Sequence, residues 1–213
     1  MINDPYQVLG VTKGAICVLM VEFILLKWYN ILSGFIKLWG VTMDEDGNEF
    51  INEAMANTRR NFEQTCLILN NIGYKYQILR EDDEKAEYAV NFIIQGEDLP
   101  MGFIVEFSAF PENMLIFSPI PVTIPEEKKV EVALAIITAN HRRKFGEFDF
   151  DIVKGSIMFK LSTCLINNAV TESMFTVLLH LAVQVVDAFN EKFVMLVKDL
   201  ITIDGFASFA EEH

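Results

Sequence analysis

The stretch E-F-D-F-D-I-V-K-G-S-I-M-F-K-L, residues 147–161, alternates large apolar side chains with charged or polar ones on both sides of Lys154 and Gly155. A period of two is typical of a strand that has one buried and one solvated face. A glycine-containing turn between two such runs indicates an antiparallel hairpin. We predict that its buried face consists of the apolar residues Phe148, Phe150, Ile152, Ile157, Phe159 and Leu161.

Four more runs with a period of two precede the hairpin. They cover residues 74–79, 88–95, 103–109 and 114–118, and the charged segment 80–85 connects the first two. Successive strands with short connections are most simply an antiparallel meander. Pro119, Pro121 and Pro125 are expected to end this part of the sheet and to begin a helix.

Helical spacing of three and four residues occurs on both sides of the strands. The segment Glu49 to Ile72 has apolar residues at this spacing, and Gly73 follows as a C-terminal stop. A second helix begins near Pro125, and a third runs from Thr171, a suitable N-cap, to about Leu200. This order contains no parallel crossover, so we predict an α+β fold in which an antiparallel meander and hairpin sheet packs with helices.

The sequence H-R-R-K is expected to form the last turn of the second helix, before Gly146. Cations near a helix C-terminus are favoured by the helix dipole, so the cluster has a structural explanation. The same basic cluster is a candidate partner-binding site. The residues concerned are His141, Arg142, Arg143 and Lys144.

The N-terminal part is dominated by apolar residues from Ala15 to Trp39 and is expected to form a helix with one thin polar stripe. Its longest uncharged run, Gly14 to Val21, is shorter than the about 20 residues of a bilayer span. We assign residues 1–42 to a hydrophobic helical extension and residues 43–213 to one α+β domain. Such an apolar helix must be covered by its own chain, by a second copy or by lipid. The candidate dimer or partner contacts are Phe23, Leu26, Trp28, Phe35 and Trp39.

Composition narrows the class of function. The chain has 213 residues, a formal net charge of −13 and 52% hydrophobic residues. The negative potential disfavours binding to nucleic acid or anionic lipid, and the apolar content excludes a disordered chain. Cys17, Cys66 and Cys164 lie far apart without a histidine cluster, so neither a disulfide framework nor a structural metal site is expected. This cysteine usage fits a reducing cytoplasm.

Sequence motifs of catalysis and of cofactor binding are missing. No phosphate loop, dinucleotide fingerprint, zinc-protease motif or serine nucleophile elbow occurs. His141 and His180 are expected to be solvated, as are Asp149 and Asp151 on the polar face of the hairpin. We therefore expect a protein that is not an enzyme and that has no catalytic, cofactor-binding or metal-binding residues.

Four segments, in order, resemble the YbjN family. They are F-S-P-I-P-V-T-I-P-E-E-K-K-V (117–130), I-I-T-A-N (136–140), F-G-E-F-D-F-D (145–151) and G-S-I-M-F-K (155–160). The resemblance spans residues 49–203 and implies an α-β-β-β-α-β-β-α arrangement, similar to type III secretion chaperones and often dimeric. Members are labelled sensory transduction regulators and have no established reaction. This chain departs from the pattern at Lys154, where the family usually has an acidic residue, and in one additional strand of the meander.

These observations favour a cytoplasmic protein-binding regulator or chaperone-like adaptor that forms a homodimer and binds an unidentified protein client. The antiparallel sheet and the long last helix are each suited to a dimer contact or to a partner segment. The alternative is a peripheral membrane protein that uses the N-terminal helix as an in-plane anchor. Only the anchor hypothesis predicts that the full chain floats with liposomes.

Overall fold

The computed structural model of the protein describes residues 48–212. From Asn52 onward the chain forms one compact unit. The predicted N-terminal helix and the boundary between residues 42 and 43 lie outside the described residues. So do the five apolar residues predicted there as dimer or partner contacts, Phe23, Leu26, Trp28, Phe35 and Trp39.

Helices and strands follow one another in the predicted order. The helices are α1 (Asn48–Asn71), α2 (Lys129–Asn140, preceded by a 3-10 turn at Glu126–Lys128), α3 (Glu172–Val197) and α4 (Ile203–Glu212). The strands are β1 (Tyr76–Asp82), β2 (Glu87–Gln95), β3 (Pro100–Ala109), β4 (Glu112–Thr123), β5 (Glu147–Asp151) and β6 (Ser156–Cys164).

The strands form one antiparallel sheet with the order β1-β2-β3-β4-β6-β5. The meander and the hairpin are both present, which confirms the predicted α+β class. The hairpin joins the meander through β6, which pairs with β4, so β5 lies at one edge of the sheet and β1 at the other. Phe148 pairs with Phe159 across the hairpin, and both side chains are buried.

The hydrophobic core lies between one face of the sheet and the helices. From α1, the Phe62 ring stacks on Tyr88 at 5.0 Å between ring centroids. From α3, the rings of Phe189 and Phe193 contact Phe148 at 5.4 and 5.0 Å. Because Tyr88 and Phe148 belong to opposite halves of the sheet, the two helices together cover this face. We call it the inner face, and the opposite side the outer face.

Two strands extend further than predicted. β1 runs on to Asp82, into the segment predicted as a charged connection. β4 runs through Pro119 and Pro121 to Thr123, although these prolines were expected to end the sheet segment. The register between β4 and β6 shifts between Pro119 and Thr123. A strand tolerates proline where the ladder of hydrogen bonds is interrupted.

The ends of the helices agree with the sequence in part. Gly73 follows α1 with a φ of 86°, and the Thr171 side chain accepts a hydrogen bond from the Met174 N–H at the start of α3, both as predicted. The third helix was expected to reach Leu200 but ends at Val197, and the separate helix α4 was not predicted.

Ile152, predicted to be buried, is exposed because β5 ends at Asp151 and Ile152 belongs to the turn.

Candidate functional site

The basic segment His141–Lys144 is a loop, and the prediction that it forms the last turn of a helix is wrong. α2 ends at Asn140, and His141 already has an extended backbone, with φ −61° and ψ 127°. Arg142 has a φ of 63°, in the left-handed region, which turns the chain away from the helix axis. His141, Arg142 and Lys144 are exposed, whereas Arg143 is half-buried. Arg143 is therefore packed against the fold, whereas the other three side chains lie at the surface.

Arg143 is held by the fold. Its Nε and Nη2 donate to the Ala139 carbonyl oxygen at 3.2 and 3.0 Å, which satisfies one of the open carbonyls at the end of α2. Its guanidinium lies 5.7 Å from the Phe148 ring centroid and 5.1 Å from that of Phe189. Burial lowers the pKa of the Arg143 guanidinium. No ion pair connects Arg142, Arg143 or Lys144 to any other residue in the range 48–212.

Asn140 explains why the helix ends where it does. Its Nδ2 donates to the Phe148 carbonyl oxygen at 2.9 Å, and its Oδ1 accepts from the Phe148 N–H at 2.7 Å. These backbone groups belong to the edge strand β5, and both are directed away from β6. The carboxamide thus takes the place of a further strand at this edge, which blocks pairing with another chain there.

Replacing Asn140 with alanine is expected to lower the free energy of unfolding by about 2 kcal/mol, because two backbone groups of β5 lose their partner at about 1 kcal/mol each. Asn70, in the last turn of α1, is a matched control, since its side chain makes an exposed 3.3 Å contact with the Tyr76 hydroxyl. Asn70→Ala should change stability by less than about 0.5 kcal/mol. Urea unfolding followed by circular dichroism measures both. Equal effects would show that the contact between Asn140 and Phe148 is not stabilising.

The outer face of the sheet carries apolar side chains that are half-buried or, for Ile93, exposed. Ile104 and Phe117 are register partners at its centre, and Leu115 pairs with Glu106 beside them. Ile93 lies opposite Gly102 and is 69% exposed. Among the described residues, no atom lies within 4 Å of the position that a Cβ on Gly102 would occupy.

Ion pairs surround this apolar area on the outer face. Lys160 pairs with Asp149 at 2.5 Å, and Arg80 pairs with Glu87 at 3.3 Å. Glu106, on β3, has no ion-pair partner among the residues that the structure describes. The outer face is therefore apolar at its centre, with an additional negative charge from Glu106.

α2 exposes a second apolar surface that the sequence analysis missed. Val130, Leu134 and Ile137 are 73%, 52% and 67% exposed, at spacings of four and three residues on one side of the helix. The opposite side is buried and consists of Val132, Ala135, Ile136 and Ala139. The signal was present in K-V-E-V-A-L-A-I-I-T-A-N, which has apolar residues on both sides of a short helix and no continuous polar face.

A cleft of about 610 Å³ lies at the end of the sheet between β1 and β2. Tyr74, Tyr76, Phe92 and Ile93 contribute apolar walls, and Asn91 and Lys75 are among its polar residues. The Asn91 Oδ1 is buried and accepts no hydrogen bond from the residues that the structure describes. The described lining contains no histidine, cysteine or carboxylate that would supply a nucleophile or a general base.

His141, His180 and Asp151 are titratable residues outside this cleft. His141 and His180 are exposed on the loop after α2 and on α3. Asp151 accepts hydrogen bonds from the Val153 and Lys154 N–H groups, and the latter bond lowers the pKa of its carboxyl. Within residues 48–212, no group of three or more histidine, cysteine or acidic side chains is arranged to hold a metal ion.

α3 is the one described helix that has the length and composition of a membrane span. Its buried residues include Phe175, Phe189 and Phe193, which belong to the hydrophobic core under the sheet. These contacts are typical of the core helix of a folded domain.

The chain matches no protein-family model, and a search of curated proteins found no similar sequence.

Proposed function

We propose that the protein is a non-catalytic, protein-binding regulator or chaperone-like adaptor of the cytoplasm. The order of one helix, a meander, a helix, a hairpin and a final long helix supports a relationship to the YbjN family and to the α-β-β-β-α-β-β-α arrangement of type III secretion chaperones. The present sheet has one strand more than that arrangement, and α4 is a further addition.

The outer face of the sheet is the observation that carries the proposal. A sheet that the described helices α1 and α3 cover on its inner face is a broad and rigid platform, and the apolar residues Ile93, Ile104 and Phe117 on its outer face are suited to an apolar partner segment. The net charge of −13 and the presence of Glu106 at this face favour a segment that also contains lysine or arginine. We therefore assign the outer face to a protein segment with apolar anchors and basic flanks.

The test compares three tagged full-length proteins as baits in cytosol: the wild type, Ile93→Glu and Val177→Glu. Ile93 and Val177 are both exposed apolar residues, so neither substitution disturbs the core, but Val177 lies on α3. The partner enriched most by the wild type is then purified and titrated against each variant by calorimetry. We expect Ile93→Glu to weaken binding at least about tenfold, because a carboxylate loses solvation in an apolar contact. Val177→Glu should bind like the wild type.

If Ile93→Glu binds the purified partner as tightly as the wild type does, the outer face is not the binding site. If no direct partner is found, the proposed function is contradicted. Membrane attachment through residues 1–42, the alternative from the sequence, concerns residues outside the described range. Flotation of the full chain with liposomes tests that alternative separately.

A further inference from the structure

We propose that the basic loop after α2, residues 141–144, binds a phosphate monoester carried by a protein segment. The proposal goes beyond the proposed function, because it concerns a different place on the molecule. Arg143 lies over the ring of Phe148, an inner-face residue of β5, whereas Ile93 lies on the outer face of β2. β2 and β5 are separated by four strand spacings, or about 19 Å across the sheet.

Arg143 offers a fixed pair of donors at the surface. A guanidinium has five N–H donors, and two of them, on Nε and Nη2, donate to the Ala139 carbonyl oxygen. The remaining three, two on Nη1 and one on Nη2, have no acceptor among residues 48–212. Nη1 is not one of the buried polar atoms without a partner in this range, so it reaches the surface. This end of the guanidinium matches two oxygen atoms of a phosphate group.

The positive charge of Arg143 has no counter-charge in the described part of the chain. Its side chain is half-buried, and no carboxylate there forms an ion pair with it. Burial lowers the pKa of the guanidinium, and no described group raises it. The faces of Phe148 and Phe189 attract the cation but do not neutralise it. Because a partly buried cation without a counter-ion is unfavourable, an anionic ligand is stabilised here.

The chain makes a type II β-turn directly after α2. The Arg143 N–H donates to the Asn140 carbonyl oxygen at 3.2 Å, and the two central residues are His141, with φ −61° and ψ 127°, and Arg142, with φ 63°. The second central position of such a turn favours glycine, because its φ is positive. An arginine stands there at a cost in stability, and residues held in strained conformations are typical of binding sites.

Arg142 and Lys144 place further donors beside Arg143. Their side chains are exposed, and their N–H groups donate no hydrogen bond within the described range. Unpaired peptide donors in a turn form a concave site for an anion. The Cα atoms of Arg142 and Lys144 are at most about 7 Å apart, so both long side chains reach a group bound at Arg143. The helix dipole does not explain them, since its effect is confined to the last turn, where Arg143 already contacts Ala139.

The charges of the molecule select a compact dianion. A phosphate monoester carries about two negative charges at neutral pH and has three acceptor oxygens, whereas a carboxylate carries one charge. Nucleic acid or an anionic membrane would also extend over the rest of a chain whose net charge is −13, which repels them. A single phosphate group lies within about 8 Å of the loop, the screening length at physiological salt, and is attracted mainly by the three nearby cations. Phe145 follows the loop and is 57% exposed, which favours a protein segment with an apolar residue beside the phosphate.

Fluorescence anisotropy with the full-length protein tests the ligand class. The probe is a labelled peptide, Gly-Ala-Phe-phosphoserine-Ala-Gly, and its control is the same peptide with unmodified serine. We expect a dissociation constant on the order of 50 µM for the phosphopeptide. The serine peptide should bind at least about tenfold more weakly, because the charge-assisted hydrogen bonds to phosphate are lost. Inorganic phosphate should displace the phosphopeptide but bind more weakly than it does, since it makes no contact with Phe145.

Substitutions in the loop test the location of the site. Arg142→Gly should weaken phosphopeptide binding about fivefold while the midpoint of thermal unfolding does not fall, because glycine suits the turn better than arginine. The double variant Arg142→Gly/Lys144→Ala should bind at least about tenfold more weakly than the wild type. Arg60→Ala is the matched control, since Arg60 is exposed on α1 and has no ion pair among the described residues. It removes the same charge elsewhere and should stay within about twofold of the wild type.

The proposal is overturned if the serine peptide binds as tightly as the phosphopeptide, or if the double variant binds like Arg60→Ala. Inorganic phosphate that binds as tightly as the phosphopeptide would contradict a protein segment as the carrier. So would a labelled single-stranded oligonucleotide that binds more tightly than the phosphopeptide and loses binding in the double variant. Ile93→Glu should bind the phosphopeptide like the wild type, because the outer face lies far from the loop.

Discussion

Phe148→Ala is expected to lower the free energy of unfolding by about 3 to 5 kcal/mol. Phe148 is 2% exposed, and its ring contacts those of Phe159, Phe189 and Phe193 at 5.0 to 5.4 Å between centroids. The Arg143 guanidinium also lies over it. Removing the ring therefore leaves a cavity where β5, β6 and α3 meet. The surrounding side chains belong to different elements and are expected to fill it only in part.

Asp149→Ala is the matched control on the adjacent residue of the same strand. The Asp149 side chain is on the outer face, where its ion pair with Lys160 is partly exposed to solvent. Partly exposed ion pairs contribute less than about 1 kcal/mol, so this substitution should be mild. Urea unfolding with the linear extrapolation measures both variants. Equal effects at the two positions would mean that the register of β5 is wrong, because a shift by one residue exchanges the faces of a strand.

Gly146→Ala is expected to cost about 3 kcal/mol, for two reasons that add. Gly146 has a φ of 67°, where a side chain costs about 1 to 2 kcal/mol. A Cβ at this position would lie 2.2 Å from Cζ of the Phe159 ring and 2.9 Å from the Lys160 carbonyl oxygen. Phe159 is fully buried, so its ring cannot move without disturbing its neighbours, at a further cost of about 1 to 3 kcal/mol.

Gly73→Ala separates the two contributions for Gly146. Gly73 has a φ of 86°, but no atom of the described part of the chain lies within 4 Å of the position that its Cβ would occupy. This variant should therefore show only the backbone cost of about 1 to 2 kcal/mol. The difference between the two alanine variants, measured by thermal or urea unfolding, reports the contact with Phe159. A difference near zero would contradict the close approach of Gly146 to the ring.

Much of the secondary structure was predictable because its signals are local. The period of two in residues 147–161 predicted the hairpin. Gly73 predicted the end of α1, and Thr171 predicted the beginning of α3. These signals depend on residues two to four positions apart, and such residues are neighbours in any strand or helix. The helix α4 was missed although Ile203, Phe206 and Phe209 have helical spacing, because the segment is short and contains Gly205, a poor helix former.

The candidate sites were less predictable. The basic segment was recognised, but its placement in a helix was wrong, because Asn140 bonds with the backbone of β5 and the chain turns there. The exposed stripe of α2 was missed, because a short helix that is apolar on both sides does not reveal which side the core will cover. Only contact with β5 and α4 distinguishes Val132, which is buried, from Leu134, which is exposed.

By itself the sequence determined the α+β class, the alternation of the strands and the absence of familiar catalytic motifs. The tertiary structure decided the pairing of β4 with β6, the face that each helix buries and the burial of polar residues. Asn61, for example, accepts a hydrogen bond from the Val170 N–H, 109 residues away in the chain. Within residues 48–212, Ser118 and Asn190 are buried with side-chain atoms that have no hydrogen-bond partner. The physical reason is that burial is a property of contacts between distant segments, whereas periodicity records only neighbours along the chain.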